Sequence, residues 1–144
     1  MDFLTAMKIS GSGLTAQRAR LNITAMNIAN ANTTRTLEGG PYRAKSVILG
    51  ARPVDRSFLD TMESVDGRLR KVDLVEVVED STPFKEVFDP GHPDANEDGI
   101  VRLPNVDVSE QMVDMIEAQR AYEANVTALE TAKSMAMRAL DVGR

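Results

Sequence analysis

The apolar positions near the start of the chain recur at a spacing typical of a helix. One stripe places an apolar residue at every seventh position and predicts a helix over residues 4–31; it consists of Met7, Leu14, Leu21 and Ile28. The stripe three residues earlier is only half apolar, because Gly11 and Arg18 interrupt it. Since a glycine inside a helix costs about 1 kcal/mol relative to alanine, Gly11 and Gly13 predict either a kink or a close approach by a neighbouring backbone.

A second, longer stripe runs through the last forty residues. Asp107 and Glu110 have the spacing of a capping box, and no glycine or proline occurs at positions 105–142, which predicts a helix over residues 109–140. Gln119 and Lys133 are polar breaks that either set the register of a helical partner or face a water-lined surface. We expect Arg120 to be an exposed pairing residue. The remaining seam positions are Met112, Met115, Tyr122, Val126, Leu129 and Leu140.

The segment between the two predicted helices differs from them in composition. Residues 33–104 hold all six prolines and six of the nine glycines, and short β-like runs occur at 42–49, 70–78, 84–88 and 99–103. The prediction is a mainly α fold with a small β insertion. Residues 1–32 and 105–144 form a discontinuous terminal helical domain, and residues 33–104 form a β-rich or extended insertion. Net charges of +3 over residues 1–35 and −3 over residues 105–144 favour two helices that lie side by side.

Composition excludes several functional classes. The 144 residues include no cysteine and one histidine, so a disulfide framework, a zinc ribbon and thiol catalysis are excluded. A net charge of −5 argues against nucleic-acid binding. No apolar run is long enough to span a membrane, and the first ten residues do not resemble a secretory signal. We expect no cofactor, no bound metal and no direct membrane insertion.

Two helices alone cannot cover two apolar stripes from water. Val113, Ile116, Met135 and Met137 lie off the main seam and add more apolar surface. An exposed apolar patch of this extent indicates a protein partner. The alternative is that the β region folds back and covers both stripes.

An asparagine-rich segment ends the first predicted helix. Asparagine is a poor helix former because its amide competes for backbone groups, so repeated asparagines indicate specific polar contacts or simply a polar helix end. Asn32 could end the helix in a left-handed conformation, and Asn27 and Asn30 lie on one face. The full motif is Asn27, Ile28, Ala29, Asn30, Ala31, Asn32 and Thr33.

This motif resembles the signature of the bacterial flagellar axial proteins, the family of rod, hook and hook-associated proteins. Five further blocks occur in the order and at the chain length of the rod members: 13–21 (GLTAQRARL), 40–45 (GPYRAK), 89–96 (DPGHPDAN), 103–106 (LPNV) and 120–126 (RAYEANV). The resemblance implies a structural subunit with no enzymatic activity. It implies terminal helices that pair antiparallel in an inner tube, and outer contacts made by residues 33–104.

The resemblance also implies partners and a location. The expected partners are copies of the same chain, other flagellar rod proteins and the flagellar type III export apparatus. That apparatus would export the chain from the cytoplasm without a cleaved signal, and the chain would join the periplasmic rod of the basal body. Stacking of this kind is head to tail and produces an open helical filament.

Two other functions stay open on the sequence alone. Residues 94–101 match the first eight positions of an EF-hand loop, but Asn105 stands where the bidentate glutamate is required. A small calcium-binding module is therefore one alternative. A cytoplasmic helical adaptor is the other.

Overall fold

The computed structural model describes residues 3–37, 39–54 and 69–142. Two long helices enclose four strands in chain order: α1 (Phe3–Ala29), β1 (Lys45–Pro53), β2 (Arg70–Glu79), β3 (Lys85–Phe88), β4 (Ile100–Leu103) and α2 (Val108–Val142). In our labelling α2 is the second and last helix of the described chain. The predicted fold class, two terminal helices with a small β region, is confirmed. Part of the predicted insertion, residues 55–68, lies outside the described residues.

Local sequence signals explain where α2 begins. Asp107 caps the helix, since its Oδ1 accepts hydrogen bonds from the backbone N–H groups of Ser109 at 2.9 Å and Glu110 at 3.4 Å. These donors would otherwise have no partner in the first turn of a helix. The buried residues Pro104 and Val106 precede the cap and fix the entry of the chain into α2.

The strands form two small sheets. β3 and β4 pair antiparallel, with Lys85 opposite Leu103 and Phe88 opposite Ile100. β1 pairs with β2, and the bonds at its two ends, Val54 N–H to Leu69 and Asp80 N–H to the carbonyl of Ala44, show that these strands are also antiparallel. Neither α1 nor α2, within the residues described, contains an apolar stretch that could span a bilayer.

The chain divides into two compact units. The first comprises Met1–Ala19, Ile48–Glu76 and Ala118–Arg144, and the second comprises Arg20–Val47 and Val77–Glu117. In the second unit a small core forms around Tyr42, Ala44 and Val106, with Ala31 packed against it. The turn that leads into this core uses Gly39 and Gly40 at φ of 88° and 82°, a region that favours glycine.

Candidate functional site

Asn27, in the last turns of α1, is the centre of a buried polar network. Only 2% of its surface is exposed. Its Nδ2 donates to the carbonyl of Lys45 at 2.8 Å and to Oε1 of Gln111 at 2.8 Å. Its Oδ1 accepts from the Tyr42 hydroxyl at 2.9 Å and from the Lys45 N–H at 3.0 Å. All four hydrogen-bonding positions of the amide are used. We call Asn27, Tyr42, Lys45 and Gln111 the asparagine hub.

The hub connects three segments that are distant in sequence. Because an amide side chain resembles a peptide group, Asn27 pairs with both backbone groups of Lys45 as a neighbouring strand would. Gln111 brings the start of α2 to the same point. The first residue of β1 and the first turn of α2 are thereby fixed to the end of α1.

Burial also changes the acidity of the hub tyrosine. Removal of the Tyr42 hydroxyl from water raises its pKa above the ordinary value of 10.0, and the negative charge of Glu79 raises it further. The phenol therefore stays protonated over the physiological range and remains a hydrogen-bond donor to Asn27. Glu79 in turn lies 3.7 Å from the Lys45 ammonium.

A second amide, Asn105, supports the hub from the loop before α2. Its Oδ1 accepts the Ala44 N–H at 2.8 Å, and its Nδ2 donates to the Thr82 hydroxyl at 2.7 Å. Arg43 donates to the carbonyl of Asp80 at 2.7 Å, and its guanidinium lies 4.4 Å from the centre of the Phe84 ring. The sequence blocks at 27–33, 40–45 and 103–106 thus meet in one polar network.

Two other motif residues also contact the core of the second unit: Ala31 packs against it, and the Thr33 carbonyl accepts the Tyr42 N–H at 3.0 Å. Asn30 donates to the carbonyl of Met26 within its own helix and accepts from the Thr33 hydroxyl at 3.2 Å. Ile28 and Thr33 are half-buried, and Ala29 is exposed. Asn32 is exposed, and no non-glycine residue in the described ranges has a positive φ. The expectation that Asn32 ends the helix in a left-handed conformation is therefore wrong. Instead, hydrogen-bonded turns follow the end of the helix, with the N–H of Ala31 donating to the carbonyl of Ile28 and the N–H of Thr33 to that of Asn30.

The two helices pair antiparallel in the second unit through polar groups. Asn27 bonds Gln111, and Arg20 lies 3.1 Å from Asp114 and 3.9 Å from Glu117. Because residue 27 pairs with residue 111 and residue 20 pairs with residue 114, the two helices run in opposite directions. The Arg20–Asp114 pair is only half-exposed, but water still reaches it, and such a pair contributes about 0.2–1 kcal/mol; it therefore selects the register more than it stabilises the pair.

Small residues line the same face of each helix. In the first unit Ala16 and Ala118 are buried, and Gly13 lies against the side chain of Asn125, where an added methyl group would come within 3.0 Å. This is the close approach expected for one of the two glycines, although a side chain rather than a backbone makes it. In the second unit the small residue Thr24 of α1 is also buried.

The predicted apolar seams flank this contact face. All four seam residues of α1, Met7, Leu14, Leu21 and Ile28, are half-buried, as are Met115, Tyr122, Val126 and Leu129 of α2. Met112 is 52% exposed and Leu140 is 71% exposed. The polar positions Arg18, Gln119, Arg120 and Lys133 are exposed, and Gln119 donates to Glu123 one turn further along.

Sequence reasoning did not select several residues of the network as site residues. These are Tyr42, Lys45, Gln111 and Asn105; Thr24, which is buried on the contact face of α1, was not selected either. Tyr42 and Asn105 belong to recurrent family blocks, which was the available signal. Within the described ranges, no group of three or more metal-ligating side chains is arranged to hold an ion, and in the loop at 94–101 the Asn96 amide oxygen accepts from the N–H groups of Asp98 and Ile100.

Comparison with known proteins agrees with this architecture. A family model described as "Flagella basal body rod protein" matches residues 7–35, and one described as "Flagellar basal body rod FlgEFG protein C-terminal" matches residues 97–142. The matches cover most of α1 and all of α2. The paired terminal helices, together with matches to rod-protein models at both ends of the chain, indicate the class of this protein: a structural protein of the flagellar rod.

Curated relatives narrow the class. The flagellar basal-body rod protein FlgC of Bacillus subtilis (strain 168) is 41% identical over 150 residues, with all of both chains covered. FlgC of Borreliella burgdorferi is 39% identical over 154 residues, covering 99% of this chain and 98% of the relative. FlgC of Escherichia coli O6:H1 is 40% identical over 144 residues, with both chains fully covered. The chain belongs to the FlgC family of flagellar basal-body rod proteins.

Membership of this family identifies the general function. The chain is a structural subunit of the flagellar basal body, where it forms part of the rod with other rod proteins, and it is not an enzyme. The calcium-binding and cytoplasmic-adaptor alternatives are not supported.

Proposed function

We propose that this chain builds the rod by docking its apolar helix seams against neighbouring rod subunits. The neighbours are copies of the same chain and other flagellar rod proteins, stacked head to tail around a channel. In this arrangement residues 1–32 and 105–144 act as the inner helical domain, and residues 33–104 make outer contacts. Motor torque then passes through many such contacts in parallel.

The exposure of the seams is the observation that supports this proposal. The contact face between the helices within each unit consists of small and polar residues, including Ala16, Thr24, Asn27 and Ala118. The apolar stripes lie beside that face and are only partly covered. Burial of one leucine-sized side chain contributes about 1.5–3 kcal/mol, so a few seam residues per interface support stable association.

We further infer that the type III apparatus exports the chain from the cytoplasm and that the rod assembles in the periplasm. The lack of cysteine throughout the chain supports this order, because an export substrate without thiols cannot be trapped by disulfides on reaching an oxidising compartment.

Seam substitutions in a motile bacterium test the proposal. The variants Met112→Asp and Leu140→Asp place a charge on exposed seam positions, so folding of the single chain is little affected. Ser134→Asp is the matched control, since it adds the same charge at an exposed polar position of α2. Each variant replaces the native copy.

We expect both seam variants to accumulate at normal levels, to keep the thermal midpoint of the parent chain, and to abolish swimming and basal-body formation. The control should swim. Normal swimming by both seam variants would contradict docking through the seams.

A further inference from the structure

Gly11 occupies a helical position that the chain itself does not explain. It lies in the interior of α1, where glycine lowers helix stability relative to alanine. At Gly13 the absence of a side chain makes room for Asn125, but a Cβ added at Gly11 would meet nothing within 4 Å. Nothing in its own chain, among the described residues, makes use of this gap.

Gly11 lies in the middle of an exposed basic face. Steps of four and three residues place Leu4, Lys8, Gly11, Thr15 and Arg18 on one side of α1. Leu4 is 61% exposed, and Lys8, Thr15 and Arg18 are also exposed. None of the 27 residues of α1 is acidic. We call these five residues the α1 face; it carries two positive charges and no negative one.

The start of α2 presents a surface of the opposite character. Met112, Val113 and Ile116 are 52%, 57% and 53% exposed and adjoin one another at helical spacing. Glu110 and Glu117 flank them and are exposed. Glu117 lies 3.9 Å from Arg20, yet its side chain remains 64% exposed. We call these five residues the α2 patch; it combines three apolar side chains with two negative charges.

We propose that the α1 face of one copy docks on the α2 patch of a second copy, with an apolar side chain of the patch seated over Gly11. The inference rests on the proposed function and specifies which surfaces meet. The opposite charges favour this pairing over α1 face to α1 face or patch to patch, each of which opposes like charges. Two different surfaces on each copy make a head-to-tail contact, which propagates as an open array.

Gly11 provides the steric part of the contact. Without a Cβ, two helix backbones can approach closely, and Ile116 or Met112 of the second copy can fill the gap. This use accounts for a helix-interior glycine whose Cβ position has no neighbour within 4 Å in the described part of its own chain. Lys8 and Arg18 then lie on either side of the contact, within reach of the two glutamates.

Cysteine trapping tests the contact, and the cysteine-free chain gives a clean background. One copy carries Thr15→Cys on the α1 face and a second carries Val113→Cys on the α2 patch. The two are expressed together in a bacterium lacking the native copy. The matched control pairs Thr15→Cys with Ser134→Cys, an exposed position of α2 outside the patch.

Docking brings the two thiols to a millimolar effective concentration, so we expect a disulfide-linked dimer at about ten times the yield of the control pair. A yield no higher than the control in swimming cells would overturn the inference and leave the proposed function standing. Dimers of Thr15→Cys with itself, or disulfides only to a different rod protein, would also overturn it. Normal swimming by the Met112→Asp and Leu140→Asp strains would instead refute the proposed function.

Substitution of Gly11 gives an independent test. Gly11→Leu extends a large side chain into the gap, where a Cβ meets no described residue within 4 Å, and Gly11→Ala fills the gap least. We expect neither variant to lower the thermal midpoint of the purified chain, while Gly11→Leu abolishes the cysteine-trapped dimer and swimming. A Gly11→Leu strain that swims and forms the dimer normally would show that the gap is not occupied by a neighbour.

Discussion

Replacement of Asn27 by alanine removes four hydrogen bonds from a site that is 2% exposed. Four partners are left behind: the N–H and carbonyl of Lys45, the Tyr42 hydroxyl and the Gln111 amide oxygen. The two side chains can turn toward water, but the two backbone groups are fixed by β1. An unpartnered buried polar group costs about 1–3 kcal/mol. Two such groups, and the partial loss at the other two, give an expected destabilisation of about 3–5 kcal/mol.

That loss is a large part of the total stability of a domain of this size, which is about 5–15 kcal/mol. Urea denaturation followed by far-ultraviolet circular dichroism measures it on the purified chain. Asn30→Ala is the matched control, because the Asn30 side chain bonds to Met26 and Thr33 at its own helix end and, in the described ranges, to no distant segment. The control should cost about 1 kcal/mol or less. Equal losses for the two variants would refute the assignment of Asn27 as the centre of the network.

The variant Asn27→Asp separates hydrogen bonding from packing. At neutral pH a carboxylate keeps both acceptor positions but loses both donors, and it opposes the carbonyl of Lys45. Protonation at acidic pH restores one donor. We therefore expect Asn27→Asp to regain stability relative to Asn27→Ala as the pH falls, and parallel pH profiles for the two variants would contradict the donor role.

Three further predictions concern single contacts. Because burial raises the pKa of Tyr42, the unfolded chain loses the Tyr42 proton before the folded chain does as the pH rises past about 10. The free energy of unfolding, measured by urea titration at pH 9 and 11, should therefore fall between these two pH values. It should fall less in Tyr42→Phe. Gly11→Ala should raise the free energy of unfolding by about 1 kcal/mol, whereas Gly13→Ala should gain less because the methyl group displaces Asn125; a larger gain at Gly13 would contradict that contact. Arg20→Ala should cost no more than about 1 kcal/mol, and the cost should shrink in 1 M NaCl, which a thermal melt at two salt concentrations checks; a salt-independent cost would exclude the ion pair with Asp114.

The helices and strands could be predicted because their signals are local. The helix predicted over 4–31 is observed as Phe3–Ala29, and the one predicted over 109–140 is observed as Val108–Val142. The four strands lie close to the predicted β-like runs. Apolar spacing, a capping aspartate and the confinement of proline to the middle of the chain are each read within a few residues, so no tertiary information is needed.

The face on which the helices meet could not be predicted in the same way. Hydrophobic periodicity finds the stripe that must be removed from water, but it does not say which molecule covers it. In this chain the buried positions Ala16 and Ala118 are small, and Thr24 and Asn27 are polar. Small residues let helices approach closely, and polar residues fix the register by directional bonds. Neither property produces a strong apolar period.

The partners of the asparagine hub are also beyond sequence reasoning. Asn27 could be selected because asparagine is costly in a helix, yet Gln111 is 84 residues away and Lys45 contributes backbone groups that carry no side-chain signal. Tyr42 was not selected as a site residue, although it lies in the block at 40–45 that resembles the family. Long-range hydrogen bonds between ordinary residue types leave no pattern in a single sequence.

In the proposed assembly the asparagine hub specifies the arrangement within one chain, and the apolar seams bind neighbouring chains. A single surface could not serve both purposes. Directional hydrogen bonds specify one arrangement of α1, β1 and α2, because any other leaves buried amides without partners. Apolar burial is non-directional and roughly proportional to area, so it stabilises whatever contact covers it. If the seams formed the core of the helix pair, each chain would bury its own apolar surface. Little apolar surface would then remain to stabilise association with a neighbour. In the proposed assembly, a polar and small-residue contact face within the chain leaves the apolar stripes of both helices available to neighbouring subunits.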